Sequence, residues 1–479
     1  HFRTLQRTLS DYLPPPVSEL ILESDPDYDL TSKTVEGTLM FTDLAGFTAL
    51  MEANAALGRS GAHTLLTILN DYFSAMIEII VMSGGRLLEF TGDAMLIEFL
   101  HDPQQGDSTA QAVRAGLRMQ RAMKEFSDIA TQQANYSLSM RVGIHTGCYL
   151  TARIGTPARM DYVLMGRDVR QTKHAEGAGQ VGRVCLTETT YERVQHQFRF
   201  EPGPQGYRLV VDDFTDQQLG EYEIVTSQRR RMPHMIVMDR SISGLVSVIE
   251  QAVDLVEPLA SYLPQQVLDL AIESTLRREL PPDFAKPTVL FVNLIGLSES
   301  ADPELSQTDN DKIVTIYSHA FALINAAVES RGGTLKKVTY HLSGSDTMIL
   351  FGVPVSHTDD AVRAANAALT IRDIVNNLPT LSVNGKEITI ACKIGMAQGP
   401  VFAAEVGSPR GRREFNVLGD TVNTAARLMA AAKPDQILIT QSVYEQLSNW
   451  FTCGDLGALA LKGKTESVPV CLLYSTLGT

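Results

Sequence analysis

Cysteine is scarce: Cys148, Cys185, Cys392, Cys453 and Cys471 are the five in a chain of 479 residues. None stands at the close spacing of a zinc cluster or a disulfide framework, which excludes those classes and leads us to expect a reducing, cytoplasmic setting. Basic charge is also in deficit, 41 lysines and arginines against 55 acidic residues, for a net charge of −14. Such a surface repels a phosphate backbone, so no nucleic-acid partner is expected. A phosphorylated small molecule then needs a local site with metal ions or concentrated basic groups. No uninterrupted apolar run of bilayer length and no secretory leader is visible, so no transmembrane segment is expected. The chain opens on His1, and we expect it to be a piece of a longer protein. What is present is ordinary for a globular protein, 44% hydrophobic and 20% charged residues, which excludes disorder.

The chain repeats itself. Tyr12-Leu13-Pro14, Val17 and Leu22-Glu23-Ser24 return as Tyr262-Leu263-Pro264, Val267 and Ile272-Glu273-Ser274. Leu39-Met40-Phe41-Thr42-Asp43-Leu44 returns as Val289-Leu290-Phe291-Val292-Asn293-Leu294, and Ser83-Gly84-Gly85 as Arg331-Gly332-Gly333. Further on, Tyr162-Val163-Leu164-Met165-Gly166 answers Phe415-Asn416-Val417-Leu418-Gly419. Pairs in one shared order point to duplication. We expect an N-terminal helical segment over 1–35, one domain over 36–226, a linker with a helical brace over 227–284 and a second domain over 285–475. Arg229-Arg230-Arg231 and Pro233 mark a polar break, and Val246, Ile249, Val253 and Leu255 are spaced as in a helix.

Within the first unit, residues 37–41 form an apolar, β-prone run that stops at Asp43, and Gly46 permits a turn into a helix near Phe47-Thr48. Apolar side chains from Leu65 to Ile80 follow a helical period closed by Gly84-Gly85. Leu87–Phe90 and Ala94–Phe99 read as strands joined through Thr91-Gly92-Asp93. A helix over about 108–126 then leads to a strand Leu138–Ile144, and another strand ends at Gly166 before a helix. The order βαββαβ is that of a ferredoxin-like, antiparallel-rich α+β layer.

Asp43 at the end of one strand and Asp93 in a hairpin turn can meet at one edge of a sheet. Hard carboxylate oxygens there suit magnesium held against a polyphosphate. The alternative for either residue alone is local hydrogen bonding within a turn. The helix start after Asp43 aims backbone amides at the same place, which suits an anionic phosphate.

These residues lie in Phe41-Thr42-Asp43-Leu44-Ala45-Gly46-Phe47-Thr48, Glu89-Phe90-Thr91-Gly92-Asp93-Ala94 and Met140-Arg141-Val142-Gly143-Ile144-His145-Thr146-Gly147. With Val417-Leu418-Gly419-Asp420-Thr421-Val422-Asn423-Thr424-Ala425-Ala426-Arg427-Leu428, the sequence resembles the class III nucleotidyl cyclases. The tandem arrangement looks most like the soluble adenylyl cyclases. The resemblance implies two cyclase homology domains forming an intrachain pseudo-twofold heterodimer, with one active site at their interface that converts ATP to 3′,5′-cyclic AMP and pyrophosphate. It implies two Mg²⁺ (or Mn²⁺) ions held by Asp43, Asp93 and the backbone of Leu44. It assigns Asn423 and Arg427 to the ribose and the transition state, and their i, i+4 spacing agrees with projection from one helix face. Phe47, Thr48, Arg141 and Lys462 or Lys464 fall on triphosphate positions. Lys337 and Asn416 fall on purine positions, with Lys336 the adjacent candidate. A lysine donates to adenine N1, whereas guanine presents a protonated N1, so ATP is expected over GTP. Asn416 stands where the family usually carries Asp or Thr, and an amide both donates and accepts. A non-catalytic ATP-sensing module and a guanylyl cyclase are the rival readings.

The same resemblance implies a second, degenerate cleft, with Asn293 in place of Asp43, Arg170 and His174 in place of Asn423 and Arg427, and Asp346 close to the second metal position. Glu89 and Lys173 occupy the places of a regulatory lysine and arginine that bind bicarbonate in soluble adenylyl cyclases. A carboxylate beside a cation forms an ion pair, so we expect Glu89 to occupy Lys173 and a response to bicarbonate to be weak or absent.

Overall fold

A computed structural model of the chain describes residues 2–22, 32–101, 107–131, 134–219, 241–277, 281–341, 344–408, 411–461 and 467–477. Each half is an α+β unit built around a central strand. In the first half Lys33–Ala45 lies between Ala94–Leu100 and Ser139–Thr156, antiparallel to both. Arg86–Thr91 forms the near edge, and Val184–Leu186 adds on in parallel beyond Ser139–Thr156. In the second half Thr288–Ile295 lies between Gly344–Phe351 and Ala391–Gln398, with Thr334–His341 at the edge and Ile437–Thr440 in parallel. The spatial order is the same in both halves, and the expected βαββαβ order of elements recurs.

The helices cover one sheet face for a periodic reason. Met40, Val142 and Ile144 alternate onto the face that meets Leu50, Leu69, Phe73 and Met76, and together they form the first core. The helix Gly58–Met82 is long and apolar enough to cross a membrane by length and composition, with a mean hydropathy of 1.6 over its most apolar stretch. Here Leu65, Leu69, Tyr72, Phe73, Met76 and Ile80 are buried in the protein core. The repeated Gly-Gly has one cause in both halves. Gly84 and Gly332 adopt left-handed backbone at φ 79° and 73°, and a Cβ on Gly85 or Gly333 would lie 2.8 or 2.5 Å from the ring of Phe99 or Phe351.

Several boundaries differ from the sequence reading. The central strand runs past Asp43 to Ala45 because Leu44 is still buried in the core. The apolar stretch before Gly84 is preceded by a separate helix, Phe47–Ala55, and the next helix stops at Ala122. The strand expected over Leu138–Ile144 is Ser139–Thr156, its far end paired with Arg159–Met165. Val246, Ile249 and Val253 do sit on a helix, Ile242–Ala260, but on its exposed side. Arg229-Arg230-Arg231 and Pro233 lie outside the described residues.

The repeated Tyr-Leu-Pro motif joins two helix pairs, Phe2–Tyr12 to Pro15–Leu22 and Ile242–Ala260 to Gln265–Arg277. Proline beside a helix start removes an N–H that needs no partner there. Leu13, Val17, Leu263 and Val267 share one apolar cluster with Val401, Phe415 and Val417 of the second half. Both helical segments therefore brace the strand that leads to Gly419. The halves also enter each other's cores: Leu150, Ile154 and Met165 join Ile313, Tyr317 and Phe321, while Phe402, Val406 and Leu418 join the first core. Ser318 Oγ donates to the Gly155 carbonyl at 2.9 Å and accepts from its N–H at 2.7 Å.

Candidate active site

Asp43 stands on the central strand directly across from Arg141, and Arg141 Nη2 lies 2.5 Å from Asp43 Oδ2. Arg141 Nε also reaches Glu176 Oε1 at 3.2 Å. Asp93 sits in the turn between Arg86–Thr91 and Ala94–Leu100, half-buried on the same sheet edge. Burial, followed by the nearby Asp43 carboxylate, pushes its pKa up to about 7. Below the two acids the hydroxyl of buried Tyr72 is driven well above its ordinary pKa by burial and by both carboxylates. Asp93, whose proton affinity the neighbouring Asp43 carboxylate raises, forms with Asp43 an oxygen-only donor set that a divalent cation relieves. Among the described residues no cluster of three or more His, Cys, Asp or Glu that could hold a metal exists. A protein contribution of one or two carboxylates, completed by substrate phosphate, is the habit of magnesium, so these residues fit that ion.

Gly46, at φ 94°, turns the chain from the strand into the helix Phe47–Ala55. The Phe47 side chain is buried in the core and Thr48 is exposed, so Phe47 can offer an anion only its backbone amide, one of those a helix start leaves unpaired.

The second half presents the residues expected at purine positions on two strands. A bulge in Thr334–His341 falls between Leu335 and Lys337, where Lys336 is inserted. Both lysines meet one carboxylate, Glu414, Lys336 at 3.1 Å and Lys337 at 3.3 Å. Burial opposes ionisation of Glu414, but Lys337, Lys336 and Arg412 overcome it and hold the pKa down at about 2. Burial drives Lys336 down to about 8 although Glu414 resists. Lys336 Nζ donates to Asn416 Oδ1, and Asn416 Nδ2 donates to the Gly92 carbonyl at 2.6 Å, beside Asp93. Of the two lysines it is therefore Lys336 that meets Asn416, while Lys337 pairs with Glu89 at 3.3 Å. Glu414 was not singled out from the sequence. Its signal was its position two residues before Asn416 on a strand, hence on the same face.

Asn423 and Arg427 lie on the helix Asp420–Ala431, Asn423 exposed and Arg427 half-buried. Neither side chain has a hydrogen-bond or ion-pair partner among the described residues. The helix starts after Gly419, where a Cβ would lie 3.2 Å from Met51 Sδ on Phe47–Ala55. The start of this helix is thus beside the helix that follows Asp43. Lys462 and Lys464 lie outside the described residues.

The expected Glu89–Lys173 ion pair does not form. Lys173 pairs with Glu176 at 2.9 Å, one helical turn along, and lies 4.0 Å above the Phe41 ring. Glu89 instead accepts from Thr91 at 2.8 Å and from Thr339 at 2.6 Å besides meeting Lys337. A local partner within one helix outcompetes a distant one. Asn293 donates to Asp346 at 2.8 Å, and burial lifts Asp346 to about 8. Register places Asp346 across from Asn293, where Ala94 would continue the first half's pairing of Thr42 with Met95, so Ser345 holds the place of Asp93. His174 is exposed.

The family model described as "Adenylate and Guanylate cyclase catalytic domain" matches residues 30–208 and 283–473. "Adenylate cyclase type 10" of Oryctolagus cuniculus is 26% identical over 461 residues, covering 92% of this chain and 26% of that protein. The chain thus spans about a quarter of the length of the curated relatives it matches first. An "Adenylate cyclase" of Mycobacterium tuberculosis is 29% identical over 207 residues, 43% of either chain. Among solved structures, a "Class III adenylyl cyclase-like ATP-binding protein" from Pseudomonas aeruginosa shares the fold over 93% of both chains, with a TM-score of 0.57 and 13% identity.

Proposed function

This chain belongs to the adenylate and guanylate cyclase catalytic domain family, and from that premise we propose that it converts ATP to 3′,5′-cyclic AMP and pyrophosphate. Its two cyclase units, within 36–226 and 285–475, act as an intrachain pseudo-twofold pair with one working cleft and one degenerate cleft. The observation that carries this reading is the hydrogen bond from Asn416 to the Gly92 carbonyl. It sets the purine-position strand of one unit against the turn bearing Asp93 in the other.

In this reading Asp43, Asp93 and the Leu44 carbonyl hold two Mg²⁺ or Mn²⁺ ions. When bound, these supply neutralisation of the triphosphate and a lower pKa for the ribose 3′-hydroxyl. The amides of Phe47 and Thr48 receive phosphate oxygens at a helix start. Arg141, which pairs with Asp43 and Glu176 in this structure, would with Lys462 or Lys464 supply cations to the triphosphate. Asn423 orients the ribose, and Arg427, with no carboxylate partner among the described residues, donates to the α-phosphoryl oxygens as charge grows there during in-line attack by the 3′ oxygen. A lysine of the Lys336–Lys337 bulge donates to adenine N1, which favours ATP over GTP. The free thiols suit a reducing, cytoplasmic setting.

The test is product analysis with ATP and with GTP in the presence of Mg²⁺ or Mn²⁺. Cyclic AMP formation that disappears in Asp43→Asn is expected. Nucleotide binding without any cyclic product would replace this reading with that of an ATP sensor.

A further inference from the structure

We propose that Asn416 is a positioning residue: its amide latches the turn that bears Asp93, and so sets how well the Asp43–Asp93 edge takes a divalent cation. The inference rests on the reading of these two acids as metal ligands.

The amide of Asn416 is buried and its polar atoms are occupied. Oδ1 accepts from Lys336 Nζ and from the N–H of Val417 at 3.0 Å. Nδ2 donates to the Gly92 carbonyl at 2.6 Å. Its orientation is enforced, because Glu414 holds the Lys336 ammonium at 3.1 Å and a flipped amide would aim N–H groups at that cation. The Gly92 carbonyl and the Asp93 N–H belong to one planar peptide group. Fixing the carbonyl therefore fixes the plane from which the Asp93 side chain departs.

The other half of the molecule supplies an internal control. Pairing of Leu150 with Met165 and of Phe402 with Leu418 makes Val163 the counterpart of Asn416. Val163 has no side-chain donor. Val163 lines a small cavity with Ser345, which stands where the first half has Asp93, and the central strand there carries Asn293 in place of Asp43. The amide latch is thus found on the side with two acids, and its counterpart lacks a donor on the side without them. With Oδ1 filled and one Nδ2 N–H given to Gly92, Asn416 keeps a single N–H that could meet a purine, and base reading falls chiefly to Lys337. The Lys337 ammonium lies 3.3 Å from Glu89 and Glu414 but makes no hydrogen bond of good geometry.

Asn416→Asp tests this with little change of shape, because an ionised carboxylate cannot donate to the Gly92 carbonyl. Asn416→Ala removes the side chain, and Asn416→Gln keeps a donor on a longer arm. Hydrogen exchange over residues 91–95 is measured on the whole chain without metal or nucleotide, followed by Mn²⁺ titration read by electron paramagnetic resonance, still without nucleotide. Faster exchange confined to this turn and Mn²⁺ binding about tenfold weaker are expected in the Asp and Ala variants, the scale of one lost hydrogen bond, with Gln between them and wild type. Wild-type exchange in the turn with unchanged Mn²⁺ binding and only the KM for ATP altered would overturn the latch and return Asn416 to base reading. Faster exchange throughout the chain would also overturn it, as general loosening. Failure of the wild type to bind Mn²⁺ would count against the metal reading of Asp43 and Asp93, and the exchange result would then decide the latch alone.

Discussion

Lys337 Nζ lies 3.3 Å from Oε1 of Glu89, the residue that follows the equivalent bulge in the first half. Counterparts of the duplication thus meet each other across the interface, with opposite charge. A second carboxylate, Glu414, completes the group.

Glu414→Gln leaves Lys336, Lys337 and Arg412 around a neutral amide in a site with little access to water. Removing one partner of a buried ionic group costs about 3–5 kcal/mol. Denaturant unfolding of this variant is expected to show a loss of that order, and the KM for ATP is expected to rise as the lysine bulge loses its anchor. A variant with wild-type stability would show that solvent screens this group far more than its burial implies.

Arg427→Ala is the opposite case. The side chain is half-buried and has no partner among the described residues, so its removal is expected to leave the melting temperature close to wild type. Loss of a cation that acts on the transition state costs about 10²- to 10³-fold in rate, by analogy with an oxyanion-hole donor. Cyclic AMP assays should show that loss in kcat with little change in KM. A fall in melting temperature of many degrees would make Arg427 structural.

Asp346 gives a pH dependence of definite sign. Its pKa is about 8 in the folded chain and about 3.9 in an unfolded one. The folded state therefore holds a proton that the unfolded state releases, so this contribution to stability is full below about pH 4 and fades as pH climbs toward 8. Asp346→Asn keeps a neutral side chain at every pH. Melting temperatures taken from pH 5 to 8 are expected to fall less steeply in the variant than in wild type. Parallel curves would mean that Asp346 is ionised in the folded protein.

The strand and helix order and the places of Asp43 and Asp93 were legible because each follows from local pattern; the duplication showed in pairs recurring in one order, and Asn423 and Arg427 came from the resemblance, with which their spacing agrees. A β-prone run, a Gly-Asp turn and an i, i+4 pair depend on near neighbours. Partner choice was less legible, since it depends on packing between units. Lys173 was assigned to Glu89, yet Glu176 lies one turn away on the same helix. Glu414 went unread because its two lysines come from a strand far off in sequence, and the bulge that lets consecutive lysines face one carboxylate leaves no mark in composition. Asp346 was taken as near the metal position, but strand register puts it opposite Asn293 and one residue off.

Glu89 also carries the expectation about bicarbonate, on a different physical basis from the one first drawn. The sequence suggested that Glu89 neutralises Lys173, whereas Glu176 holds Lys173 and Glu89 is engaged by Lys337, Thr91 and Thr339. Both routes leave an anion facing a carboxylate at that position, without a free cation to receive it. Bicarbonate is therefore expected to change cyclic AMP production little in the wild type. Glu89→Lys replaces the carboxylate by a second ammonium near Lys337, which removes the repulsion and supplies an unpaired cation, so a bicarbonate response is expected to appear. The same substitution sets like charges together beside Glu414, and a higher KM for ATP should accompany it. Strong activation of the wild type, or an unchanged response in Glu89→Lys, would show that the anion does not sense this position.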